Sequence, residues 1–212
     1  MQPFTTLTGI AAPMLQDDIN TDQIAPVQAT RLGRDDRGLL FQRARRRADG
    51  SDDPDFVLNR PQFQAASILV SGHNFGCGSS REGAVWTMIA NGIRCIVARS
   101  FADIYRENCL QNGLLPIELD GEAADGFCAR VVAADGAAPF TVDLVEQRIG
   151  GPGGPDIPFT IAPADRVRLL EGLDDIGLTL KQSGDIAAWE ARMAREMPWL
   201  QTAHHARDTT SS

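Results

Sequence analysis

Apolar and polar positions follow a regular pattern over one part of the chain above all, residues 65–117. There, short apolar runs alternate with segments of helical period, and turn signals bound each of them. AASILV at 65–70 predicts a buried strand, and a glycine-rich stretch follows at 72–78. Ala84, Val85, Met88 and Ile89 then recur at helical spacing until Asn91-Gly92, a left-handed stop signal. CIVA at 95–98 predicts the next strand. Ser100 opens a second helix, with Asp103 at capping-box spacing and an end near Asn112-Gly113. LLPIEL at 114–119 is a third apolar run. Two consecutive βαβ units imply a parallel sheet with right-handed crossovers, and therefore an α/β fold.

The pattern is sparser elsewhere. Residues 140–145 and 157–161 predict strands, separated by IGGPGGPD, whose glycines and prolines make a turn. Residues 165–172 and 185–197 carry helical periodicity, and 201–212 form a polar tail expected to be disordered. In the segment 39–55 four arginines, Arg43 and Arg45 to Arg47, stand before four aspartates, which predicts a solvated loop that neutralises its own charge.

Composition narrows the classes. A chain of 212 residues with 43% hydrophobic content can bury one core, so a single domain over 1–200 is expected. A net charge of −8 argues against a nucleic-acid partner. MQPFTTLTGIAAPM lacks the basic flank and apolar core of a signal peptide, and no stretch is long and apolar enough to span a bilayer; a cytoplasmic location without membrane contact is the expectation. Cys77, Cys95, Cys109 and Cys128 are too widely spaced for a zinc or iron–sulfur site, and predict reduced thiols and no metal held by this chain.

The chemistry concentrates in Asn74-Phe75-Gly76-Cys77-Gly78-Ser79-Ser80-Arg81-Glu82, between a buried strand and a helix, where ligands bind in parallel α/β sheets. Glycines let backbone N–H groups approach an anion, and Arg81 adds a planar fork for a carboxylate. The competing structural reading makes Ser79 and Glu82 a capping box and Arg81 a surface residue. It accounts for a serine and a glutamate three apart, but not for the two glycines, second serine and arginine in the same turn. His73 lies four residues before Cys77, but no third group orients the pair, so a cysteine hydrolase is the weaker alternative.

GHNFGCGSSREGA, followed by ARSFADIYRENCLQNGLLPI, resembles the small-subunit family of 3-isopropylmalate dehydratase, the counterpart of the mobile C-terminal domain of aconitase. DINTDQIAP at 18–26, FVLNRPQFQAASILV at 56–70 and LLEGLDDIGLTL at 169–180 extend the likeness, which covers residues 8–199. Several motifs in the right order are more specific than one glycine loop. The resemblance implies a swivelling β/β/α three-layer domain with a parallel central sheet, closing over a large subunit that holds a [4Fe-4S] cluster. It also implies a hydro-lyase that converts 2-isopropylmalate to 3-isopropylmalate in leucine biosynthesis, active only in a heterodimer or heterotetramer with that subunit.

By the same resemblance Ser79 is the base that takes the proton from carbon, while Ser80 and Arg81 hold a substrate carboxylate. A serine needs positive neighbours to act as a base, and the helix N-terminus, backbone N–H groups and Arg81 are the local means. Asp22 corresponds to an aspartate that faces the active site and orients a histidine of the large subunit; by residue chemistry alone it is a turn or helix-cap residue. Arg34 occupies the place of a second substrate-binding arginine, with Arg31 as its rival. Two departures stand out. Gly83 replaces the histidine of the usual SSREHA, which predicts a looser helix. LFQRAR at 40–45 replaces an aromatic-rich run, which leaves open a related hydroxy diacid such as citramalate, dimethylmalate or a homoaconitate type. The intact GSSRE turn argues against a non-catalytic regulatory relative.

Overall fold

The structure, a computed structural model, describes residues 1–26 and 37–200. Seven strands form one sheet in the order β4-β3-β2-β1-β5-β6-β7. They are β1 (Thr6–Met14), β2 (Ala66–Ser71), β3 (Cys95–Ala98), β4 (Leu115–Glu118), β5 (Phe140–Asp143), β6 (Arg148–Gly150) and β7 (Ile157–Pro158). The four strands from β4 to β1 are parallel, as the two βαβ units require. The remaining pairs, from β1–β5 to β6–β7, are antiparallel, so the parallel sheet predicted from sequence is one half of a mixed one.

The halves are spliced within β1. Its first residues, Thr6 to Gly9, pair with β5, and its last, Ile10 to Met14, pair with β2 across a register shift at Ile10/Ala11. Sequence pattern did not reveal this strand, because Gly9, Ala11, Ala12 and Pro13 blur its alternation, and its stability comes from pairing partners 56 to 137 residues away.

Parallel strands buried on both faces read as continuous apolar runs, and β2 and β3 do so. Successive side chains feed different cores: Ile68 and Val70 join one cluster with Phe127 and Phe140, while Leu69 joins another with Met88 and Tyr105. Helices α3 (Gly83–Ala90) and α4 (Asp103–Asn112) contribute to the second cluster. Helix α5 (Gly121–Ala134) contributes Ala124, Phe127 and Val131 to the first. Among the described residues between β1 and β2 are two one-turn helices, α1 (Thr21–Ile24) and α2 (Gln42–Arg45). Helix α6 (Pro163–Glu171) follows β7 and buries Leu169.

Three local expectations are corrected. Helix α4 begins at Asp103 without a side-chain cap, and the Ser100 hydroxyl instead accepts the Asn74 N–H at 2.8 Å. Ser79 and Glu82 form no capping box, since α3 starts only at Gly83 and Glu82 accepts from Asn112 Nδ2 at 2.7 Å. Gly83 is the first residue of α3, so the cost of an interior helix glycine does not apply there. The arginine-rich stretch does offset part of its charge, through an Arg47–Asp53 pair at 3.6 Å. It is also ordered by Arg45, whose Nε donates to Asn59 at 2.9 Å.

Chain contacts separate a compact unit, Met1–Leu173, from a second one beginning at Asp174. The latter contains α7 (Asp175–Leu180), capped by the Asp174 carboxylate on Gly177 N–H, and α8 (Ser183–Glu196). Among the described residues, no helix is long and apolar enough to cross a membrane. The tail 201–212 lies outside the described residues.

Candidate active site

Strands β1, β2 and β3 run parallel, so the loops leaving their C-terminal ends gather along one sheet edge, where binding sites form in such sheets. The loop after β2 is held between the other two. On one side Gly72 N–H donates to Gln16 C=O at 3.1 Å, Asp18 N–H to His73 C=O at 2.9 Å, Gly76 N–H to Ile19 C=O at 2.7 Å and Thr21 N–H to Cys77 C=O at 2.9 Å. On the other, Phe75 N–H donates to Ser100 C=O at 3.0 Å and Ala102 N–H to Phe75 C=O at 3.0 Å. Every one of these bonds reaches another loop, so three separate sequence segments fix one conformation.

That conformation requires glycine at two points. Gly76 has φ +79° and lies flat on the Tyr105 ring, where a Cβ would overlap ring atoms, and Gly78 has φ +95° beside Asn20 and Thr21. Phe75 is fully buried against Phe101 and Tyr105, anchoring the loop to the core. Side chains add to the frame: Asn74 Nδ2 donates to Asp18 at 2.7 Å, and the Cys77 thiol to Asp18 C=O at 3.4 Å.

The loop then turns outward. Ser79 and Ser80 are exposed, and Arg81 folds back over them with its side chain only 19% exposed. Its Nε donates to Ser79 Oγ at 2.7 Å, and its Nη2 pairs with the Asp22 carboxylate on the first turn of α1. Helix α1 is itself capped reciprocally by Asn20 and Gln23. Asp22 is therefore not the cap; its carboxylate faces Arg81. Ser79, Arg81 and Asp22, separated by up to 59 residues, thus form one contiguous group with Ser80 beside it. A guanidinium bonded to a serine hydroxyl stabilises the alkoxide over the neutral form, which is what proton abstraction by a serine needs. Arg31 and Arg34 lie outside the described residues.

A family model described as aconitase C-terminal domain matches residues 1–122, a range that contains this whole group. A second, described as the C-terminal domain of the 3-isopropylmalate dehydratase small subunit, matches 175–203. The 3-isopropylmalate dehydratase small subunit of Rhodospirillum centenum is 48% identical over 206 residues, covering 94% of this chain and 98% of its own. That of Dinoroseobacter shibae is 49% identical over 203 residues, with 94% and 100% covered. The chain belongs to the 3-isopropylmalate dehydratase small-subunit family. The crystal structure of a 3-isopropylmalate dehydratase from Methanocaldococcus jannaschii has the same fold, with a TM-score of 0.58 at 24% identity, covering 87% of this chain and 99% of its own.

The iron–sulfur group that the resemblance implies can be tested against the chemistry of this chain's own cysteines. Cys77, Cys95 and Cys109 do not fit such a role. Cys95 and Cys109 are buried in different core clusters, and burial pushes both thiols well above their ordinary range. Burial, with Asp18 nearby, also pushes the Cys77 thiol up, which disfavours the thiolate needed by a ligand or a nucleophile. Among the described residues no three His, Cys, Asp or Glu side chains converge as metal ligands. His73 contributes its backbone to the loop, with N–H donated to Asp17 at 2.6 Å. Sequence reasoning missed Thr21 and Ser100, because the groups that their hydroxyls bond are 58 and 26 residues away.

Proposed function

We propose that this chain is the small subunit of a 3-isopropylmalate dehydratase, which interconverts 2-isopropylmalate and 3-isopropylmalate in cytoplasmic leucine biosynthesis by removing water and adding it back. The observation that carries the reading is the Ser79–Arg81 contact at 2.7 Å, set in a loop that glycines and two neighbouring loops hold rigid. Relatives bearing that name at 47–49% identity support the choice of reaction.

In this reading Ser79 takes the proton from the substrate carbon next to a carboxylate, with Arg81 Nε holding its oxygen in the reactive state. Ser80 and the outer edge of Arg81 hold the carboxylate, and an arginine of the 31–34 segment, Arg34 or Arg31, holds the second. Asp22 keeps Arg81 in place until the site closes and then orients a histidine of the large subunit. A [4Fe-4S] cluster held by that subunit would supply a Lewis acid for the departing hydroxide. This chain supplies the base and the carboxylate clamp; its thiols take no part.

A second reading, a sister hydro-lyase acting on citramalate, dimethylmalate or a homoaconitate-type diacid, is favoured by one observation. Leu40 and Phe41 are committed to the core, so only Gln42 to Arg45 of that run face outward, and none is aromatic. Anaerobic reconstitution with the large subunit tests both. The pair should turn over 2-isopropylmalate and neither member should do so by itself. Turnover by the lone small subunit defeats the split-site reading, and a larger kcat/KM for another diacid selects the sister activity.

A further inference from the structure

Three serine or threonine side chains among the described residues are buried: Thr21, Ser71 and Thr87. Thr87 spends its hydroxyl on Gly83 C=O of its own helix at 2.8 Å, and Ser71 on Gln16 C=O at 3.3 Å. Thr21, only 1% exposed, does something different. Its Oγ1 donates to Ser79 C=O at 3.1 Å and accepts Ser79 N–H at 3.2 Å, gripping both peptide groups of one residue. Arg81 Nη2 approaches the same oxygen at 3.5 Å, and Thr21 N–H bonds Cys77 C=O at 2.9 Å. A hydroxyl has one proton and two lone pairs, and here the serine and arginine of the loop take all three.

We infer that Thr21 is a positioning residue: its buried hydroxyl fixes the backbone on both sides of Ser79 and so aims Ser79 Oγ at Arg81 and at the substrate carbon. This rests on the reading of Ser79 as the base. Ser79 is exposed and lies outside any helix or strand, so no regular structure sets its direction. The Cα–Cβ bond follows the two peptide planes, and among the described residues Thr21 is the one side chain bonded to both of them. Placement errors of about 1 Å at a reacting atom cost on the order of a hundredfold in rate. Valine has the same shape as threonine and removes only the hydroxyl's bonds, so Thr21→Val isolates this contribution.

The test uses the small subunit reconstituted with its large subunit, and the variants Thr21→Val, Thr21→Ser, Ser79→Ala and Thr21→Val/Ser79→Ala. The expected result is a 10- to 100-fold fall in kcat for Thr21→Val with KM changed less than about threefold, and recovery of most of the rate in Thr21→Ser. On the Ser79→Ala background, Thr21→Val should cost nothing further in kcat, because there is no base left to aim. That non-additivity is not expected of a residue that matters only for folding. If Thr21→Val fails to fold, Thr21→Ala alone and with Ser79→Ala provides the same cycle. Near-normal kcat in the folded Thr21→Val or Thr21→Ala enzyme, or fully additive losses, with Ser79→Ala slowed about a hundredfold or more, overturns the role of Thr21 and leaves Ser79 as the base. An active Ser79→Ala enzyme overturns the reading of Ser79 and the inference with it.

Discussion

Two glycine-rich loops in this protein each carry an arginine against them, and the two arginines are used in opposite ways. At the loop spanning 150–156, Arg130 of α5 donates to three main-chain carbonyls: Pro152 at 2.7 Å, Pro155 at 2.7 Å and Gly151 at 2.8 Å. Its guanidinium also lies over the Phe140 ring at 5.8 Å. All of those acceptors are fixed backbone, so the arginine is a staple for a turn. At the loop after β2, Arg81 bonds a serine hydroxyl and a carboxylate, groups that can exchange partners or protons. The backbone of that loop is already satisfied by its neighbours. Glycine content alone does not separate a structural loop from a chemical one. What separates them is whether the adjacent cation is bonded to backbone or to groups able to react.

The largest expected effect that bears on this contrast is at Ser79. Because the structure gives Ser79 no capping role, Ser79→Ala should leave the melting temperature of the small subunit nearly unchanged. It should lower kcat of the reconstituted enzyme roughly a hundred- to ten-thousandfold. A large loss of stability with kcat retained would make this loop structural too.

Arg130→Ala should do the reverse. Removing three charge-assisted bonds, two of them facing water, should destabilise the chain by roughly 1–3 kcal/mol in denaturant melts, with kcat unchanged. A fall in kcat without a change in melting would break the comparison.

Arg81→Lys sharpens it. Lysine keeps the charge and loses the planar fork, so KM should rise about tenfold, or about 1.4 kcal/mol. Because Nε also holds Ser79, kcat should fall as well; steady-state kinetics separates the two parts. Unchanged values of both would return Arg81 to the class of Arg130.

The smallest effect is at Cys77, inside the same loop. Burial and Asp18 raise its thiol, so less thiolate is present near neutrality, and alkylation by iodoacetamide should be slower than for free cysteine. The rate should climb as pH rises. Fast labelling at pH 7 would reveal an activated thiol and revive a nucleophilic role.

How much of this was legible depends on whether the partners are near in sequence. Residues 65–117 could be read almost to their ends, because β2, α3, β3, α4 and β4 declare themselves through local period and turn residues. Strand β1, at the centre of the sheet, could not, since its small residues show no alternation and its pairing is long-range. Helix α5 buries Ala124, Phe127 and Val131 at helical spacing, but Gly121, Gly126 and its polar flanks weaken the signal. Both capping boxes expected from local spacing fail for one reason: Ser100 and Glu82 bond Asn74 and Asn112, far off in the chain. The Gly76–Arg81 turn stood out by its residues as a candidate anion loop, whereas the convergence of Thr21 and Asp22 upon it needed the fold.

If Arg81 holds a substrate carboxylate, as proposed, its pairing with Asp22 makes that binding an exchange. A carboxylate that takes the Nη2 now paired with Asp22 releases an internal one, so the number of ion pairs there is the same before and after. Ionic strength weakens an association in proportion to the charge contacts it creates, and here the net count at Arg81 is zero. Affinity at this position should therefore be nearly indifferent to salt. It is set by the geometric fit of the entering carboxylate relative to that of Asp22, whose side chain is 57% exposed and readily rehydrated once displaced.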